Sequence, residues 1–136
     1  MALLDDLASH LQTQGIGTVG STLFKGVLPD TPDACVAVLE SPAMLGPVRT
    51  RKGSLGVPVT ERPRVQVLAR ATSYQAARNK AVDALAALDW LGPVTLNSVA
   101  YQQVEALQRP PFPYAVDANG RQVFAFNVEV TKAPST

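Results

Sequence analysis

The C-terminal residues Gln122 to Thr131 constrain this chain more than any other segment. Apolar side chains recur there at every second position, which is the period of a half-buried β-strand. The alternation puts Phe124, Phe126, Val128 and Val130 on a core face. Val123, Ala125, Asn127, Glu129 and Thr131 fall on the opposite face. Asp117-Ala-Asn-Gly120 directly before it reads as a turn, so the strand is one arm of a hairpin. Such a face must be covered by another layer, and the rest of the chain has to supply it.

Two helical stretches fit that need. Leu3, Leu4, Leu7 and Leu11 make one stripe at helical spacing, with acids in the first turn and Gly15 as a stop. The second helix begins at Thr72, whose spacing to Gln75 matches a capping box, and ends at Gly92-Pro93. Its expected core stripe is Tyr74, Ala77, Ala81, Leu85 and Leu88. Ala76, Ala86 and, by extension of the helix, Trp90 lie on its far side.

Further strands are expected at Thr18 to Val27, at Ala34 to Glu40, at Arg64 to Arg70 and, as one long or two short strands, at Val94 to Leu107. In Ala34 to Glu40, Cys35, Ala37 and Leu39 share one face. In Arg64 to Arg70, Val65, Val67 and Ala69 face inward. Arg109-Pro-Pro-Phe-Pro113 must be extended, since proline blocks both helix and central strand. The order helix, strands, helix, strands predicts an α+β domain. Its sheet is mostly antiparallel, of about four to six strands, with both helices on one face.

One segment departs from this frame. Residues 41–60 hold three prolines and three glycines, and their only charges are Arg49, Arg51 and Lys52. A loop this long in a compact domain is often functional, and it reads as a basic loop or projecting hairpin arm. Residues 133–136 read as a frayed tail. Everything else belongs to one domain spanning 1–136.

Composition excludes several functions. The net charge of +1 gives no field to hold nucleic acid. The Met1-Ala-Leu-Leu-Asp-Asp start has acids where a leader peptide carries positive charge, and no apolar run spans a membrane. A soluble, cytoplasmic chain is expected. Cys35 is the single cysteine, too few for an internal bridge, and reads as a buried thiol. With one His and one Cys, no ordinary zinc set can form within a chain. No metal and no cofactor is expected.

The remaining chemical signals are weak. Gly15-Ile-Gly17-Thr-Val-Gly20 matches a dinucleotide fingerprint, but that fingerprint needs a strand before it and a helix after it. Here the order is inverted, and a helix stop is the plainer reading. A small-molecule module built on Gly15–Gly20 is the alternative from another functional class. His10 lies off the leucine stripe and reads as a surface residue. Asp30 and Asp33 flank a proline turn, where acids usually cap. No residue reads as catalytic.

The C-terminal third carries a resemblance. Tyr114-Ala-Val-Asp-Ala-Asn-Gly-Arg121, followed by Val123-Phe-Ala-Phe-Asn-Val128, resembles the ending of the tail terminator (tail completion) or minor capsid proteins of tailed bacteriophages. Upstream, Arg64-Val-Gln-Val-Leu-Ala-Arg70 and Ser73-Tyr-Gln-Ala-Ala-Arg78 are similar to that family's strand and following helix. Ala118 stands where the family commonly has Glu. The resemblance implies a structural virion protein rather than an enzyme, made in the host cytoplasm. It implies a homo-oligomeric, commonly hexameric, ring at the head-proximal end of the tail, which ends tube growth and receives the head. Its partners would be the tail tube protein and a head-connector or stopper protein, with DNA passing through unread. A head-closure or connector adaptor protein is the alternative within the same assembly. In such a ring Arg49, Arg51 and Lys52 become a candidate arm toward the channel or the next subunit. The two candidate contact patches are Ala76, Ala86 and Trp90 on the second helix, and Val123 and Ala125 on the last strand.

Overall fold

The computed structural model describes residues 2–41, 62–96 and 99–132. In chain order these form α1 (Ala2–Thr13), β1 (Leu23–Lys25), β2 (Cys35–Ser41), β3 (Arg64–Ala71), α2 (Tyr74–Leu88), β4 (Val94–Leu96), β5 (Val99–Ala106), β6 (Phe112–Val116) and β7 (Gln122–Lys132). Seven strands make one sheet in the order β1-β2-β3-β7-β5-β4, with β6 paired to β7. All pairs are antiparallel except β1 with β2. This is the expected α+β architecture with one strand more than the upper expectation.

The long alternating strand is the hub. β7 pairs with β3 along one edge, and with β6 and then β5 along the other. The register sets Val36, Ala69 and Phe124 in one row, and Val38, Val67 and Phe126 in the next. These residues join Leu7 and Leu11 of α1 and Ala77, Ala81, Ala84 and Leu88 of α2 in the main core, so both helices cover the same face. Each fully buried Phe or Leu here contributes about 1.5–3 kcal/mol relative to exposure. The alanines of α2 let that helix lie close to β3 and β7. α1 touches β1 and β2 at one end of the sheet and β4 at the other, so the sheet curls around it.

Local signals explain the boundaries. The N–H of Ile16 donates to Leu11 O and that of Gly15 to Gln12 O, both at 3.0 Å. With Gly15 at φ +82, this is the helix stop read from its sequence. The N-cap of α2 is Ser73, one residue later than expected; its hydroxyl accepts from Ala76 N at 3.1 Å. Tyr74 is half-exposed rather than in the core stripe, with its ring edge against Phe124 at 5.0 Å. Only Leu23–Lys25 of the expected strand 18–27 is extended. The preceding residues are consumed by a turn in which Ser21, Thr22 and Leu23 all donate to Thr18 O.

One expectation is overturned. Val123 and Ala125 do lie on the face away from the helices, but they are 4% and 0% exposed. β6 folds back beside β7 and brings Phe112 opposite Ala125. Leu68 from β3, Leu28 and Leu39 close a second, smaller apolar cluster over them. The far side of β7 is therefore covered within the subunit, not left for a neighbour.

Candidate assembly surfaces

The segment that carries the resemblance is a clamp. Asp117 Oδ1 accepts from the N–H groups of Asn119 and Arg121 at 3.0 and 2.9 Å, and Gly120 closes the turn at φ +76. Arg121 is buried. Its guanidinium donates to Asp117 Oδ2 at 2.7 Å, to Asp30 Oδ1 at 2.9 Å and to Asp33 Oδ1 at 3.1 Å. Nearby, Arg70 donates to Asp33 O at 3.1 Å and also to Pro32 O. Asp30 and Asp33 thus receive an arginine from the far end of the chain instead of capping their own turn. Desolvation works against the Asp117 carboxylate, but the Arg121 and Asn119 N–H groups and the guanidinium outweigh it and lower its pKa. The Asp-x-Asn-Gly-Arg pattern is legible as a turn; its partners some ninety residues upstream are not.

The Gly15–Gly20 segment is also spoken for. Thr18 N donates to Thr22 Oγ1 at 2.9 Å, Val19 N to Gln12 Oε1 at 2.8 Å and Gly20 N to Leu23 O at 2.8 Å. These amides face the chain itself rather than a phosphate. His10 is half-buried and holds the helices together, with Nε2–H donating to Ala87 O at 3.1 Å. Cys35 is buried, and desolvation raises its pKa above the ordinary thiol value. Among the described residues, no group of His, Cys, Asp or Glu is placed to hold a metal.

The far side of α2 is open, as its pattern predicts. Ala76 and Ala86 are exposed, and Trp90 is 63% exposed. Trp90 is not part of the helix, however. Asp89 ends α2 by donating its N–H to Leu85 O, and Trp90 then adopts φ 57. Leu91 and Val104 exchange two backbone hydrogen bonds, of 3.1 and 2.7 Å, directly after it. Arg109 lies over the indole at 5.2 Å from its centroid. Arg109 is itself held by both carboxylate oxygens of Asp89, and the same carboxylate accepts from Ala106 N at 3.0 Å. A bulky residue rarely adopts the left-handed conformation, at a cost of about 1–2 kcal/mol. The chain holds Trp90 in it and leaves the ring outside.

The support beneath Trp90 is electrostatic. The Arg109 hydrogen bonds hold the Asp89 pKa below the usual carboxylate value, against desolvation. A depressed pKa stabilises the fold above the unfolded value of about 4, and this is lost as pH falls through the folded value. Asp89→Asn is expected to lower the melting temperature by several degrees at pH 7, with the gap to wild type closing as pH falls below about 4. Thermal melts at stepped pH check this; a gap independent of pH would refute the role of the charge.

Arg49, Arg51 and Lys52 lie outside the described residues. Their segment joins Ser41 to Arg64, which are paired at the same end of adjacent strands.

Comparison with known proteins settles what kind of protein carries these surfaces. The family model for bacteriophage tail terminator proteins matches residues 10–134. The chain belongs to the bacteriophage tail terminator family. It is a structural virion protein of the tail-terminator and neck region, not an enzyme, and its place is the tail and head–tail region of the virion. A chain in a solved virion of a native gene transfer agent particle is similar in fold, with a TM-score of 0.60 over 98% of this chain and 96% of that one. Sequence identity is 14%, so this likeness is one of fold alone. No curated protein matches. For a tail terminator family member, the question is which surfaces meet which neighbours.

Proposed function

We propose that copies of this chain close a hexameric ring on the head-proximal end of the tail tube, stop its growth and present the surface that the head connector joins. The observation that carries this reading is Trp90. A large aromatic held rigidly in solvent loses little entropy on contact, which is how interface anchors are built. A ring needs two different patches per subunit. With Val123 and Ala125 covered, the exposed features around α2 support that role: the Trp90 platform, Ala86 and Ala76. The Arg49, Arg51 and Lys52 segment is the arm that faces the channel or the next subunit. Toward DNA its contacts would be to phosphates, sequence-independent and weakened by salt.

Tails assembled without this protein test the reading. Adding the purified chain is expected to arrest tube elongation and restore joining of heads, counted by electron microscopy. The variant Arg49→Glu, Arg51→Glu, Lys52→Glu is expected to keep the wild-type circular dichroism spectrum and to lower joining by roughly tenfold or more. Tubes that keep growing in the presence of the chain would overturn the terminator role. Normal joining with the triple variant would remove the arm from it.

A further inference from the structure

We propose that residues 27–33 form a strap, closed by a charged latch at Arg121, that opens as a unit without unfolding of the chain and uncovers Cys35. The inference stands apart from the ring reading and holds for a single subunit.

The strap joins β1 to β2 on the side of the sheet that the helices leave free, and it has no regular secondary structure. Among the described residues, its backbone hydrogen bonds are made with arginine side chains. Arg70 donates to the carbonyls of Pro32 and Asp33, and Arg121 to that of Asp30. Its apolar anchor is Leu28, against Leu68, Val123 and Ala125. Between the strap and the β6–β7 turn lies a groove of about 340 Å³, so close packing does not hold the two together. A segment with few apolar contacts and no ladder of backbone bonds opens at lower free energy than the whole domain.

What holds this one shut is charge. Arg121 stands directly before β7, the hub of the sheet. Its side chain is 7% exposed, whereas those of Asp30 and Asp33 are 83% and 67% exposed. The strap's half of the latch is therefore in water, where salt weakens it. Asp117 binds the same guanidinium from the turn at 2.7 Å. When the strap leaves, Arg121 keeps that partner, so the open state holds no unpaired buried charge. The register shows what is uncovered: Cys35, Arg70 and Val123 make one row on this face. The strap leads through Ala34 into Cys35 and binds Arg70 beside it, and Cys35 is fully buried.

Cys35 is the sole cysteine, so a thiol reagent reads the opening directly. The full chain is labelled with excess aromatic disulfide reagent at stepped urea concentrations, and global stability is followed by circular dichroism. At low urea the labelling rate is expected to be nearly independent of urea, and at least about tenfold faster than global unfolding allows. The double variant Asp30→Asn, Asp33→Asn, at two exposed positions, is expected to keep its fold and to raise this rate roughly fivefold or more. Arg121→Gln is expected to raise it further. About 0.5 M sodium chloride is expected to raise the wild-type rate severalfold. Val104→Ala, in the main core, lowers global stability and is expected to leave the low-urea rate unchanged.

A wild-type rate that tracks global unfolding from the first urea step overturns the strap, because Cys35 is then reached only by unfolding. A low-urea rate that neither the Asp30→Asn, Asp33→Asn variant nor salt changes overturns the latch, even where Arg121→Gln fails to fold. A rate that Val104→Ala raises as much as the double variant does also overturns it.

Discussion

Ala125→Glu is expected to abolish the folded state or to lower its melting temperature by more than about 12 °C. Ala125 is fully buried between its register neighbours Leu68 and Phe112. The apolar cluster around it contains Val123, Leu28 and Leu39. A carboxylate there loses its water against apolar side chains, and its longer side chain has no room. Desolvating a charge and overpacking the site together cost about 4 kcal/mol or more. Total stability is only about 5–15 kcal/mol for a domain. Ala86→Glu, on the exposed side of α2, serves as the control and should change stability by no more than about 0.5 kcal/mol. Thermal unfolding followed by circular dichroism separates the two. A variant at Ala125 that melts within a few degrees of wild type would mean that this subunit does not itself cover the face.

That outcome matters because alternation alone assigns Ala125 to an open, interface-forming face. Period two tells which residues share a face, not what lies over it. Phe124, Phe126, Val128 and Val130 were legible as core because every second residue there is large and apolar. The cover over Ala125 comes from β6, in a proline-rich stretch that reads only as extended, and from Leu28 in a loop. Neither announces its destination locally. The helix stop at Gly15 and the turn at Asp117 were legible for the converse reason, since their hydrogen bonds close within a few residues. The clamp of Arg121 on Asp30 and Asp33 was not, because it joins distant segments.

The candidate surfaces divide in the same way. Ala76 and Ala86 are exposed as helical spacing predicts. Trp90 is exposed too, but for a different reason: the helix ends at Leu88, and a positive-φ residue turns the chain outward. Arg109, which braces the indole, had no signal in the sequence beyond its place before two prolines. Tyr74 shows the limit of the stripe. At the first residue of α2 its ring reaches only the edge of Phe124, and over half of it stays in solvent.

Tyr101→Phe is expected to cost about 3 kcal/mol, a drop in melting temperature of about 10 °C, although it removes a single atom. The Tyr101 hydroxyl on β5 donates to Asp6 Oδ2 on α1, and each residue is only 1% exposed. The variant takes a donor from a carboxylate that water cannot reach. Tyr114→Phe, with its ring half in solvent, should change little. An independent readout is alkaline titration. Burial first, and the Asp6 carboxylate second, push the Tyr101 pKa well above its ordinary value. The unfolded chain therefore releases this proton first, so the stability that the pair contributes is present below about pH 10 and is lost as pH rises beyond it. Tyr101 should therefore ionise only as the chain unfolds. Equal melting temperatures for Tyr101→Phe and Tyr114→Phe would refute the role of this bond. The consequence reaches the end of α1. Gly15 and Ile16 follow directly from α1, and the bond to Tyr101 ties that helix across to β5. Loosening it should therefore free the end of α1 from the sheet even where the mutant chain still folds.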